Sequence, residues 1–154
     1  MEFFQSYLFK GLDDRQLENV SAIASEILMS QGQKIFTEGE EEGRIYILKE
    51  GAVEMLTRVE DALDLPISLL REPGSLFGVS ALVSPYRYSL SSRCAKPGSL
   101  LCIERTRLEE ITRKDPDLGC KISGNLSAYF LERLKETRNQ LKLHFKTILT
   151  YTRS

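Results

Sequence analysis

The feature that most constrains this chain is a glycine-punctuated series of short strand-forming runs that gives way to one long uninterrupted helical stretch. Between residues 31 and 104 fall Gly32, Gly39, Gly43, Gly51, Gly74, Gly78 and Gly98. Among them lie Lys34-Ile35-Phe36-Thr37, Arg44-Ile45-Tyr46-Ile47-Leu48, Ala52-Val53-Glu54-Met55-Leu56 and Ser99-Leu100-Leu101-Cys102-Ile103. Several short strands with frequent turns predict a sandwich or barrel. Glu50-Gly51 predicts a hairpin turn, because glycine accepts positive φ.

Helical signals flank this region. In residues 1–30, Gly11-Leu12-Asp13-Asp14-Arg15-Gln16 reads as a turn into a helix. Asp13 and Gln16 have the spacing of a capping box, and Leu17, Val20, Ile23 and Ala24 recur at helical intervals. After the strands, Thr106-Arg107-Leu108-Glu109 fits a second capping box for a short helix, with Leu108 and Ile111 on one face. Asp115-Pro116 ends that helix and opens the next, with Asp115 as cap and Pro116 at the first helical position. From residue 116 to about 150 the pattern is one helix, roughly 50 Å long, more than a small domain can cover. Ser127, Phe130, Leu134, Thr137, Leu141, His144, Ile148 and Tyr151 alternate at spacings of three and four. This heptad-like seam predicts a homodimer held through Phe130, Leu134, Thr137, Leu141 and Ile148; the alternative is a helix packed back on its own β-region. Asn125-Leu126-Ser127 has the form of a glycosylation sequon, but inside a helix it reads as ordinary helical sequence.

Composition sets the remaining bounds. A chain of 154 residues suits one core, here residues 1–115 with the long helix 116–154 as part of the same domain. The formal net charge of −1 supplies no global field to recruit nucleic acid or anionic lipid. No run of about 18 apolar residues suggests a membrane span, and Met1-Glu2-Phe3-Phe4 lacks the layout of a signal peptide, so a cytoplasmic protein is expected. Cys94, Cys102 and Cys120 form no CxxC pair, and His144 is the sole histidine. Neither a metal site nor a Ser-His-Asp triad has the residues it needs, and an enzyme is not expected.

In this order and at these spacings, the fragments resemble the cyclic-nucleotide-binding domain of the catabolite-activator-like and kinase-regulatory-subunit superfamily. The resemblance runs from Phe9-Lys10-Gly11-Leu12 with Leu17, through Gly32-Gln33-Lys34-Ile35-Phe36-Thr37-Glu38-Gly39 and Ile45-Tyr46-Ile47-Leu48-Lys49-Glu50-Gly51-Ala52-Val53, to Gly74-Ser75-Leu76-Phe77-Gly78 with Ala81-Leu82. It continues in Leu101-Cys102-Ile103-Glu104-Arg105 and Asp115-Pro116-Asp117-Leu118. It implies a mainly β fold with flanking helices: an eight-stranded, jelly-roll-like β-roll followed by a long dimerisation helix. It also implies a phosphate cassette at Phe77, Gly78, Val79, Ser80 and Ala81, in which backbone amides at a helix start receive an anion.

Two positions depart from the family pattern. Val79 stands where the family has the glutamate that accepts the ribose 2′-hydroxyl. Leaving that hydroxyl unpaired costs about 1–3 kcal/mol, on the order of 10- to 100-fold in affinity. The family's phosphate-binding arginine falls at Arg87 when counted forward from Phe77, but at Tyr88 or Ser89 when counted back from Ile103; Arg93 is a further candidate. Tyr86 and Tyr88, two apart, are expected on one face of a strand. Arg133 on the long helix would stand at the pocket mouth. Lys135, Arg138, Lys142, Lys146 and Arg153 read as a solvated helix flank.

The resemblance therefore implies a ligand-sensing regulatory module with a degenerate cassette, whose ligand is a weakly bound cyclic nucleotide (cyclic AMP or cyclic GMP) or another small anion. Two alternatives stand beside it. One is a ligand-free module that dimerises or binds a protein partner and keeps a vestigial pocket. The other is the effector-binding fragment of a transcription regulator. The chain as it stands, ending at Ser154, carries no helix-turn-helix and is expected not to bind DNA itself.

Overall fold

The computed structural model describes residues 7–153. A 3-10 turn (Tyr7–Phe9) precedes helix α1 (Asp14–Ile23). The Asp13 carboxylate accepts from the Gln16 amide at 2.8 Å, and the Gln16 side chain accepts from the Asp13 amide at 3.1 Å, completing the expected capping box. The helical spacing extends to Ala24, but the helix stops at Ile23. Ala24 opens strand β1 (Ala24–Met29), which pairs antiparallel with residues 98–103, so cross-strand pairing overrides the local period.

The other strands are β2 (Lys34–Phe36), β3 (Arg44–Glu60), β4 (Leu63–Leu70), β5 (Leu76–Phe77) and β6 (Ser91–Glu104). They form a six-stranded antiparallel sheet ordered β1-β6-β3-β4, with β2 on β6 and β5 on β3. Six strands perform the work of the expected eight because β3 and β6 are long and doubled over. The first half of β3 (44–48) pairs with residues 100–104, beside β1 and β5. Its second half (52–56) pairs with 91–96, beside β2 and β4.

The fold-over lies at Gly51 and Gly98. Glu50-Gly51 is accordingly an irregularity inside a continuous strand and not the expected hairpin turn. Gly51 has φ 98°, and a methyl group there would stand 2.5 Å from the Lys96 carbonyl oxygen; one on Gly98 would overlap the Glu50 carbonyl. Two backbones cross here with no room for a Cβ, which only glycine allows.

Doubling the ribbon produces two cores. Ile45 and Ile47 point to the helical side, packing with Leu8, Phe9, Val20, Ile103, Leu108 and Leu118. Their neighbours Tyr46 and Leu48 point into the roll, with Phe36, Val53, Phe77, Tyr88 and Leu100. Burial on both faces accounts for the unbroken apolar run Ile45-Tyr46-Ile47-Leu48.

Strand β6 runs directly into helix α2 (Arg105–Lys114). The expected capping box at Thr106 is not used: the helix starts two residues earlier, with Glu104 at the cap position, and the Arg105 amide donates to the Gly43 carbonyl at 2.7 Å. Glu109 pairs with the Arg105 guanidinium at 2.8 Å.

Helix α3 (Pro116–Arg153) has 38 residues, about 57 Å of helix. Asp115 caps it, accepting from the Leu118 amide at 3.2 Å. Its first turns are tied down: the Gln16 amide group donates to Asp117 at 2.9 Å, and Asn125 donates to the carbonyls of Leu8 and Lys10 at 2.8 Å each. Asn125 thus holds α3 on the amino-terminal turn. From Leu131 onward every described residue of α3 is exposed, so the helix leaves the roll instead of packing back along it. Among the described residues no helix is long and apolar enough to cross a membrane.

Candidate functional site: a cavity between the roll and the long helix

The cassette begins where β5 ends. Gly78 adopts φ 77°, and a Cβ there would lie 3.2 Å from both the Arg44 carbonyl and the Phe36 ring. Glycine lets the chain turn hard against β3 and enter the short 3-10 helix Val79–Leu82. Val79 is buried and faces the helical core, and Ala81 is fully buried in the roll. The Ser80 hydroxyl accepts from the Ser89 amide at 3.1 Å, tying cassette to following loop.

That loop is anchored by Tyr88. Its ring stacks on Phe36 with centroids 3.9 Å apart, in a group with Tyr46 and Phe77. Its hydroxyl donates to the Arg44 carbonyl at 2.7 Å and accepts from the Arg44 amide at 3.1 Å. Its own amide and carbonyl pair with Glu40 and Gly39. Burial drives both phenols away from ionisation, Tyr46 up to about 12 and Tyr88 further still, and likewise raises the Cys102 thiol. Residues 83–90 form no strand, and Tyr86 has φ 66°. Tyr86 and Tyr88 therefore do not share a strand face as expected. Tyr86 lies under the Arg105 guanidinium, 4.1 Å from the ring centre, while Tyr88 is buried in the roll.

Between cassette, roll and α3 lies a cavity of about 320 Å³. Phe77, Gly78, Val79, Ser80, Ser89 and Arg133, all singled out from the sequence, line it. Ala81, Arg87 and Tyr88 do not. Arg87 points away and pairs with Glu41 at 2.9 Å, both groups more than half exposed. Arg93 is engaged by Glu54 at 2.7 Å. Neither arginine lines the cavity; the space beside the cassette is filled by the neutral Tyr88 ring system.

The rest of the lining carries no local sequence signal of a ligand site. Met55, Ile67, Ser68 and Leu70 come from β3 and β4. Strand β4 contains Pro66 and was not among the runs that read as strands. Tyr129, Phe130, Glu136, Thr137 and Gln140 come from α3. The Tyr129 hydroxyl donates to the Leu76 carbonyl at 3.3 Å, joining helix to β5. Arg133 sits 5.0 Å above the Tyr129 ring centre and pairs with Glu136 at 2.9 Å. A second stripe on α3, Leu118, Ile122, Leu126 and Tyr129, was the available signal for this face. Phe130 and Thr137 belong both to the cavity wall and to the expected seam. Phe130, Leu134, Leu141 and Ile148 of that seam are 38–56% exposed in the single chain.

Comparison with known proteins matches this architecture. Over 138 residues the chain is 27% identical to the cyclic AMP receptor protein of Thermus thermophilus, covering 90% of this chain and 62% of that protein. Over 104 residues it is 30% identical to the global nitrogen regulator of Synechocystis, covering 66% of this chain and 46% of the relative. The chain thus spans less than two thirds of the length of these curated relatives. The crystal structure of the Thermus thermophilus catabolite activator protein superposes with a TM-score of 0.75 at 27% identity, covering 90% of this chain and 62% of that one. The amino-terminal domain of a transcriptional regulator from Streptomyces coelicolor shares the fold, with a TM-score of 0.72 at 22% identity, covering 90% and 94%. The family model for the cyclic nucleotide-binding domain matches residues 26–115, from β1 to the end of α2, and on that match and this fold the chain belongs to the cyclic nucleotide-binding domain family.

Proposed function

We propose that the chain is an effector-sensing regulatory module: a small molecule occupies the cavity between cassette and α3, and its presence resets the angle or pairing of α3 in a homodimer. The observation that carries this reading is that Phe130 and Thr137, two residues of the expected seam, also line the cavity. A ligand that contacts them differently in two helix positions biases the dimer by that difference in affinity. The exposed apolar residues Leu134, Leu141 and Ile148 support a dimeric partner.

Cyclic AMP and cyclic GMP are expected to bind weakly, because Val79 cannot accept the ribose hydroxyl and Arg87 is engaged by Glu41. Calorimetric titration with both nucleotides tests this point; micromolar binding would reverse it. The wider reading is tested by sedimentation equilibrium on wild type, Leu141→Asp and a plugged-cavity variant, Ser68→Trp. Leu141→Asp should yield monomer, and Ser68→Trp should change the dimer constant. A wild-type monomer at tens of micromolar would overturn the dimer. A dimer constant indifferent to the plug would favour the module with a vestigial pocket, which Val79 also favours.

A further inference from the structure

The walls of the cavity between cassette and α3 select the chemistry of an occupant. Its lining is dominated by carbon: Met55, Ile67, Leu70, Val79, Leu90 and Phe130 are among its walls. Among the described residues two charged side chains line it, Arg133 and Glu136, and they pair at 2.9 Å. The remaining polar side chains in the lining are neutral: the hydroxyls of Ser68, Ser80, Ser89, Tyr129 and Thr137 and the amide of Gln140. Of these, Ser80 already accepts from the Ser89 amide at 3.1 Å. An anion entering this space meets a guanidinium already paired with a carboxylate, and the four-residue 3-10 turn Val79–Leu82 is too short to add a macrodipole that would offset its lost hydration. An apolar body loses only water-exposed surface and gains contact with the walls.

We infer that the effector of this module is an uncharged, mainly apolar small molecule with one hydrogen-bonding end, its body against Val79, Leu90 and Ile67 and its polar end at the Arg133–Glu136–Gln140 mouth. The inference rests on the sensing role proposed above and specifies the ligand class at that same cavity. Arg133, expected at the pocket mouth, is then one half of a neutral pair. Glu136 is the residue that sets the charge preference: remove its carboxylate, and the Arg133 guanidinium becomes free for an anionic partner.

The experiment is a calorimetric titration of the full chain with 1-octanol, octanoate and cyclic AMP, on wild type, Glu136→Gln and Ser68→Trp. Octanol and octanoate have the same apolar body and differ in charge at one end. Wild type should bind octanol at least about tenfold more tightly than octanoate, and Glu136→Gln should raise octanoate affinity about tenfold through a new charge-assisted hydrogen bond, so that the preference for octanol over octanoate falls by about the same factor. Ser68→Trp should abolish octanol binding. Tighter wild-type binding of octanoate or cyclic AMP than of octanol, lost with the plug, would overturn the ligand class and leave the sensing role standing. No binding of any of the three, or octanol binding untouched by the plug, would overturn both. Glu136 and Ser68 are exposed positions, so neither variant disturbs the core.

Discussion

Tyr88 stands where one count along the cassette places the family's arginine, and the structure gives it a different task whose strength can be worked out. Its hydroxyl makes two hydrogen bonds to the Arg44 backbone, at 2.7 and 3.1 Å, while its ring is only 2% exposed. Tyr88→Phe keeps the stack on Phe36 and removes only the hydroxyl. Two hydrogen bonds at about 1 kcal/mol each, plus the cost of stranding their partners, give a loss of about 2–4 kcal/mol. Unfolding 154 residues carries an entropy of about 0.3 kcal/mol/K, so Tm should fall by about 6–12 °C. Urea denaturation followed by circular dichroism should show the same loss in midpoint with an unchanged slope. Hydrogen exchange adds a local readout: the Ser89 amide, held by Ser80, should exchange faster as the loop loosens. A stability loss below about 0.5 kcal/mol, with Ser89 protection retained, would refute the idea that Tyr88 anchors the cassette.

Other sites make separate predictions. Gly98→Ala should cost more than about 3 kcal/mol in denaturant melts, because its methyl meets the Glu50 backbone where β3 and β6 cross, whereas Gly124→Ala, in open space on α3, should stabilise by about 0.5–1 kcal/mol. The Asp117 carboxyl is held below its ordinary 3.8, first by the Gln16 hydrogen bond and then by Lys121. The folded state therefore binds that proton less readily than the unfolded one, and the stabilisation is complete above pH 3.8 and is lost as the pH falls through the lowered folded value. Stability of wild type relative to Asp117→Asn should shrink below pH 3.8 and hold steady between the neutral range and that point. Cys94 and Cys102 are buried with thiols raised by burial, while Cys120 is exposed. A thiol reagent should titrate one cysteine in the native chain and three after denaturation; rapid loss of all three in the native state would contradict the packing of β6.

How far the chain could be read from its residues depended on whether a feature was local. The Asp13–Gln16 capping box and the Asp115-Pro116 helix start are made by residues three apart, and both are found where the sequence placed them. The glycine framework carried the β-roll, but which glycines make turns was not legible. Gly51 has the chemistry of a hairpin turn, and only its crossing with Gly98, 47 positions on, turns it into a kink inside β3. The Thr106 motif failed because the Gly43 carbonyl satisfies the first amide of α2. The cassette segment Phe77–Ser80 was legible because glycine and small residues mark it. Much of the remaining lining belongs to β4, whose composition does not read as a strand, and to α3 residues beside the expected seam, which overlaps the cavity at Phe130 and Thr137. Arg87 was expected to meet a phosphate because of its count from Phe77. The loop 83–90 turns at Tyr86 and sends Arg87 out to Glu41, a path that no alternation rule describes.

If the cavity between cassette and α3 is a ligand site, an occupant must perturb the residues around it. Amide-resolved NMR of the full chain, titrated with 1-octanol and separately with cyclic AMP, tests it most directly. The expected result is saturable shifts under octanol that cluster at residues 67–70, 76–80, 89–90 and 129–140, stretches that line the cavity, with cyclic AMP giving weaker shifts at the same places. Shifts absent from these stretches, or spread over α1 and the outer face of β1 instead, would contradict it.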